Sequence, residues 1–230
     1  MTNRALGKSG LATPPLVLGG NVFGWSADRA ASFAVLDRFV EGGGRMIDTA
    51  DVYSAWVAGH VGGESEKMIG EWLKAGGAQG KVLIATKVGM LPGEGGSGLQ
   101  PDRIRAAADA SLERLGVDAI DLYFAHKDDP DVPLDEVMDA FGELVAAGKV
   151  RALGASNYSA GRLAAALRIA DERGLPRFTV MQPELNLLDR EQYEGALQRL
   201  CVAEEIGVIP YYSLAAGYLS GKYRSADDLG

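Results

Sequence analysis

Arg45-Met-Ile-Asp48-Thr-Ala-Asp-Val-Tyr53 begins as an apolar, strand-like run and turns into a polar loop at Asp48. The same change occurs in Val82-Leu-Ile-Ala-Thr-Lys87 and in Ile120-Asp-Leu-Tyr-Phe-Ala-His126. Working outward from these runs, short β-like segments alternate with longer helix-like ones. The strand candidates are Leu16–Gly19, Met46-Ile47, Val82–Thr86, Ile120–Ala125, Val150–Ala155, Phe178–Met181 and Val208–Tyr211. Between them the spacing predicts helices over Asp28–Val40, Ser65–Lys74, Pro101–Leu115, Leu134–Ala147, Ala160–Glu172 and Glu191–Glu205. Asp28 is a candidate N-cap, and Pro101 suits a helix start.

Strict βα alternation with short connections implies a parallel sheet with right-handed crossovers. Val, Ile and Leu occupy both parities of the strands, as sheets covered on both faces require. A doubly wound sheet would carry G-x-G-x-x-G after its first strand, and Gly19-Gly20-Asn21 does not fit that pattern. A (β/α)8 TIM barrel is therefore favoured, as a single domain over residues 1–230. The turn-rich Gly7–Gly10 segment predicts an N-terminal β-hairpin closing the barrel bottom. Only seven β units can be counted, so the eighth β/α unit is expected to be lacking from this chain. The full pattern upstream favours a protein that continues beyond Gly230.

The chain has 230 residues, 47% of them apolar and 23% charged, as ordinary globular domains have. A formal charge of −8 argues against nucleic acid as a partner, while a local cationic pocket stays open. One cysteine, Cys201, excludes an internal disulfide framework and suits a cytoplasmic location. No signal peptide is evident, and no apolar run approaches the roughly 20 residues of a membrane span. Two histidines and one cysteine hardly provide a metal site, which leaves a metal-dependent hydrolase as a remote alternative.

Active sites of βα barrels sit at the carboxyl ends of the strands. Asp48, Lys87 and His126 fall there, with Tyr53 in the same loop as Asp48. A tyrosine hydroxyl is a proton donor with a pKa near 10, which a neighbouring ammonium lowers. An aspartate paired with the lysine would keep it charged and placed, and a histidine beside the phenol would polarise a carbonyl. Such a set protonates a carbonyl oxygen as hydride reaches its carbon. No side chain donates hydride, so a cofactor must. Asp51 is the loop's second acid and lies off the strand end. Glu64 and Glu66 read as acids favoured at a helix start.

Asp48-Thr-Ala-Asp-Val-Tyr53, Thr86-Lys87 and Phe124-Ala-His126 resemble the signature segments of aldo-keto reductases, in the bacterial and potassium-channel β-subunit-like branch. The resemblance covers nearly the whole chain. It implies a barrel that binds NADPH at its carboxyl face, with NADH not excluded, and reduces aldehydes or ketones through Asp48, Tyr53, Lys87 and His126. It also implies cofactor contacts from Gly20, Asn21, Phe23, Asp48, Ser156, Asn157 and Gln182. Tyr211, preferred to Tyr212, would stack on the nicotinamide. Ser213, Leu214, Gly217, Leu219, Gly221 and Lys222 would form a pyrophosphate loop. Family members usually continue into an eighth unit that grips the adenosine 2′-phosphate. Trp25, Trp56 and His60 are candidates for the substrate pocket. A nicotinamide-binding, redox-sensing protein with little turnover is the alternative function, and neither the carbonyl substrate nor the oligomeric state follows from the residues.

Overall fold

A computed structural model describes residues 2–76, 78 and 80–225. Two short strands, β1 (Arg4–Ala5) and β2 (Ala12–Thr13), pair antiparallel as a hairpin whose turn uses positive φ at Gly7 and Gly10. A seven-stranded parallel sheet follows in sequential order: β3 (Leu18–Gly19), β4 (Met46–Asp48), β5 (Leu83–Val88), β6 (Ile120–Ala125), β7 (Val150–Ser156), β8 (Phe178–Gln182) and β9 (Gly207–Val208). Between them run α1 (Arg29–Glu41), α2 (Glu64–Gly76), α3 (Pro101–Leu115), α4 (Leu134–Ala146), α5 (Ala160–Arg173) and α6 (Ala196–Ala203). The Asp28 carboxylate caps α1 by accepting from Ala31 N at 2.9 Å.

The sheet is curled. Strands β4 and β8 are four places apart, which in a flat sheet means about 19 Å at 4.8 Å per strand. Yet Gln182 Nε2 donates to Asp48 Oδ1 at 3.1 Å. Side-chain parity sorts the residues of the curled sheet into two sets. Met46, Ala85, Leu122, Phe124, Ala152 and Val180 pack on one another inside, with Leu6 of the hairpin and Ile209. The other parity, including Ile47, Ile84, Tyr123, Leu153 and Met181, packs outward into the layers beneath the helices. Gly154 makes room for the interior, because a Cβ there would sit 2.4 Å from the Phe124 ring. The hairpin seats against the start of β9, with Lys8 N donating to Glu205 O at 3.2 Å. The N-terminal hairpin is present as expected, with Leu6 packed into the interior of the curled sheet.

Two elements differ from the sequence reading. The helix expected over Glu191–Glu205 is confined to Ala196–Ala203, because Gly195 takes φ 98° and ψ −117°, which breaks a helix. The last regular strand is Gly207–Val208 rather than Val208–Tyr211, although contact with the β8 side continues: Ile209 N donates to Met181 O and Tyr211 N to Pro183 O, both at 3.0 Å, and Tyr211 bridges Glu184. Among the described residues there is no eighth strand, so β3 and β9 are the edges of the sheet.

Candidate active site

Parity explains why the expected quartet converges. Asp48 follows Met46 by two residues, Lys87 follows Ala85, and His126 follows Phe124, so all three continue the inward set at the carboxyl ends of their strands. The Lys87 side chain is fully buried, and its ammonium places all three donors: to Asp48 Oδ2 at 2.6 Å, Thr49 O at 2.8 Å and the Tyr53 hydroxyl at 2.9 Å. The phenol therefore accepts from Lys87 and keeps its own proton to give away. The His126 and Tyr53 rings lie edge to face with centroids 6.0 Å apart. Asp48, Tyr53 and His126 line a cavity of about 730 Å³, with the Lys87 ammonium buried behind them.

The electrostatics follow from burial. Lys87 loses hydration, which depresses its pKa, but Asp48 and Tyr53 outweigh that and hold it above its ordinary value. Burial pushes the Tyr53 phenol up, and the opposing pull of Lys87 does not cancel it. The sequence reading had the lysine lowering that pKa; the pull exists, but enclosure wins. Tyr53 is thus held as a phenol at neutral pH. Burial, helped by Lys87, depresses His126 to about 3, so its imidazole is neutral. Its buried Nδ1 has no partner among the described residues, which favours the tautomer with the proton on Nε2. A neutral imidazole so protonated is a hydrogen-bond donor for a carbonyl oxygen.

A chain of amides and hydroxyls runs from this centre along the cavity mouth. Ser156 Oγ donates to Gln182 O at 2.8 Å, and Asn157 Nδ2 donates to His126 O at 2.9 Å and to Ser156 Oγ at 3.1 Å. The Tyr211 hydroxyl donates to Asn157 Oδ1 at 2.8 Å. Asn157 adopts positive φ, 54°, a conformation that asparagine tolerates. Asn21, Trp56, Tyr211, Tyr212 and Ser213 also line the cavity, which continues down the seam between β3 and β9 past Val17 and Val208 to the hairpin.

Several expected contacts are not brought to the cavity. Phe23 is buried in the layer with Leu36, Ile69 and Trp72, beneath the α1 and α2 helices, so a cofactor contact from its ring is not what this packing provides. Gly20 lies under the β4 end, where a Cβ would meet Ser65 Oγ at 3.0 Å; its role is close packing. Leu214, Gly217, Leu219, Gly221 and Lys222 lie past Ser213 outside the wall, with Lys222 Nζ 4.6 Å from the Tyr223 ring centre. Gly217 and Leu219 belong to a 3₁₀ segment, Ala215–Ser220, kinked at Ala216 and Gly217 and flanked by Leu214 and Gly221 as its caps, with Lys222 just beyond. Trp25 does not line the cavity itself but touches two residues that do, through an edge contact with Trp56, 5.9 Å between centroids, and a hydrogen bond from its Nε1 to Asn21 O at 2.6 Å; His60 does not line the cavity.

The aldo/keto reductase family matches residues 15–230. The chain belongs to that family. Its relatives include the aldo-keto reductase str7 of Strobilurus tenacellus, 41% identical over 177 residues that make up 75% of this chain and 50% of that protein. The norsolorinic acid reductase stcV of Emericella nidulans is 34% identical over 235 residues, 96% of this chain and 58% of that protein. The aldo-keto reductase yakc [NADP(+)] of Schizosaccharomyces pombe is 32% identical over 213 residues, 90% and 58% respectively. The chain thus spans between 50% and 58% of the length of these three relatives.

The donor set at the mouth of this aldo/keto reductase family member suits the nicotinamide end of a dinucleotide. Tyr211 supplies an aromatic ring at the wall, and Ser156, Asn157 and Gln182 supply hydroxyl and amide groups of the kind that pair with a carboxamide. Besides neutral His126, Arg4 at the hairpin end is the basic side chain among the lining residues. Among the described residues no group of three or more His, Cys, Asp or Glu is placed to hold a metal, and no helix is long and apolar enough to cross a membrane.

Behind the quartet lies a buried polar layer that the sequence reading undervalued. Asp51 is fully buried and its Oδ2 accepts from Arg103 Nη2 at 3.0 Å. Glu66, read as a helix-start acid, is also fully buried; it accepts from Thr86 Oγ1 at 2.5 Å and from Arg114 Nε at 2.7 Å. Position was the available signal. Glu66 shares the buried stripe of α2 with Ile69 and Leu73, and Arg103 shares that of α3 with Ala107 and Ser111. A charge on such a stripe calls for a buried partner.

Proposed function

We propose that this chain is the catalytic part of a nicotinamide-dependent oxidoreductase that reduces an aldehyde or ketone to an alcohol, with Tyr53 as proton donor and NADPH as reductant. The observation that carries this reading is the fully buried Lys87 ammonium bonded to both Asp48 and Tyr53 at the cavity floor. The bound cofactor supplies hydride to the carbonyl carbon. His126, neutral and protonated on Nε2, donates to the carbonyl oxygen and fixes it beside the phenol. Tyr53 passes its proton to that oxygen as negative charge gathers there. Lys87 holds the resulting phenolate by charge and hydrogen bond until water returns the proton. Asp48 keeps Lys87 charged, and its second oxygen is occupied by Gln182. Membership of the aldo/keto reductase family and the reductase names of str7, stcV and yakc support the reaction class. The choice of NADPH rests on the NADP(+) in the name of yakc.

The test is oxidation of NADPH, followed by absorbance, with 4-nitrobenzaldehyde as acceptor. Wild type is expected to turn over. Tyr53→Phe is expected to bind NADPH as before and to lose between about 10²- and 10⁴-fold in kcat, the usual worth of a general acid. Cofactor binding without turnover of any carbonyl would support a redox sensor instead, and equal rates in both proteins would remove Tyr53 from its role.

A further inference from the structure

We propose that Asp51 and Arg103 form a clasp that positions Tyr53, by tying the loop that carries Tyr53 and Trp56 to the loop that carries Met90. The proposal rests on the reading of Tyr53 as the proton donor. Tyr53 sits two residues beyond Asp51, and the intervening chain is a tight turn in which Tyr53 N donates to Ala50 O at 3.2 Å. Asp51 is anchored at three points. Its N–H donates to Lys87 O at 3.2 Å, its carbonyl accepts from Gly63 N at 2.7 Å, and its carboxylate accepts from Arg103.

Arg103 spreads its guanidinium across both loops. Nη2 goes to Asp51, Nε donates to Leu91 O at 3.0 Å, and Nη1 donates to Glu94 O at 3.3 Å. A planar fork of fixed donors is suited to three simultaneous bonds in a way that a lysine is not. Both loops are shaped to let this happen. A Cβ at Gly93 would lie 2.7 Å from Arg103 Nη1, and one at Gly62 would lie 2.7 Å from Asp51 O and 2.6 Å from Leu91 Cδ2. Met90 and Tyr53 both line the cavity, so the clasp joins two stretches of its wall. A positional error of about 1 Å at a reacting group is enough to cost on the order of 10²-fold in rate.

Asp51 and Arg103 touch neither substrate nor cofactor in this account; they act through Tyr53. Asp51→Asn keeps the shape and removes the charge, and Arg103→Lys keeps the charge and removes the fork. Each is expected to lower kcat between about 10- and 100-fold while the KM for NADPH changes less than about twofold. The double variant is expected to be no worse than the poorer single one, as for residues acting as a unit. Gly93→Ala, on an exposed loop, is a third variant that crowds Arg103 without altering any charge, and it is expected to shift kcat in the same direction.

Hydrogen exchange of the intact protein is read alongside. Amides of residues 49–63 and 89–98 are expected to exchange about tenfold faster in each variant, with those of β6 and β7 unchanged. Wild-type kcat together with wild-type exchange in these loops would overturn the clasp, as would slowed turnover with both loops unperturbed. If wild type itself turns over no carbonyl, the proposed reaction fails, and exchange alone still decides whether the clasp holds the two loops.

Discussion

Lys87 concentrates the chemistry of this chain in one atom. Its ammonium gives up water for three protein acceptors, and with Asp48 beside it remains charged where burial alone would discharge it. Two other buried groups respond to pH in opposite directions. Burial takes His126 from its ordinary 6.5 to about 3, so between those values the unfolded chain binds the extra proton and stability falls as the medium is acidified. Asp51 is raised by burial and by Glu66 from 3.8 to about 7, against the pull of Arg103 and Arg114; Tyr123 is its uncharged neighbour. Between those values the folded chain binds the extra proton, so its share of stability grows on acidification and is lost as pH rises through about 7. Urea unfolding at about pH 5 and about pH 8 separates the two. Relative to wild type, His126→Gln is expected to gain stability on going to the lower pH, and Asp51→Asn to lose it. The strand-end residues Asp48, Lys87 and His126 were legible because each closes an apolar run. Asp51 was not, because its burial depends on a partner, Arg103, that lies 52 positions away and reaches it only in the folded chain.

The helices and strands owe their positions to packing as much as to local preference. Helix α2 approaches α3 at Gly70, where a Cβ would fall 2.2 Å from Arg114 O, a backbone atom with no freedom to swing away. Gly70→Ala brings the two tendencies into conflict. Alanine favours a helix interior by about 0.8–1 kcal/mol over glycine, whereas overpacking costs about 1–3 kcal/mol or more. The overlap with backbone decides the sign, and thermal unfolding is expected to show a lower Tm for the variant. Most element positions could be read from apolar runs and caps, Asp28 and Pro101 among them. One error fell where a single residue's backbone overrides its neighbours' preference: Gly195 shortens α6. Phe23 was misplaced for a related reason, since the loop after β3 turns its ring under α1 and α2 rather than toward the cavity.

At the scale of the whole molecule, curling of the sheet makes a site from residues distant in sequence. Gln182 meets Asp48 across 134 positions, and the cavity they border runs along the β3–β9 seam to the N-terminal hairpin. The order of βα units was readable because each unit carries its own period. The course of the cavity was not, since it depends on how the curling of the sheet brings its edge strands β3 and β9 toward each other. The central claim is that this enclosure delivers hydride to a carbonyl carbon and the Tyr53 proton to its oxygen. NADPH deuterated at both C4 positions, incubated with the protein and 4-nitrobenzaldehyde, tests it most directly by mass spectrometry of the product. One deuterium on the carbinol carbon of the alcohol is predicted for wild type, with the labelled product lost in Tyr53→Phe. An alcohol without deuterium, or no alcohol at all from wild type, would contradict the account.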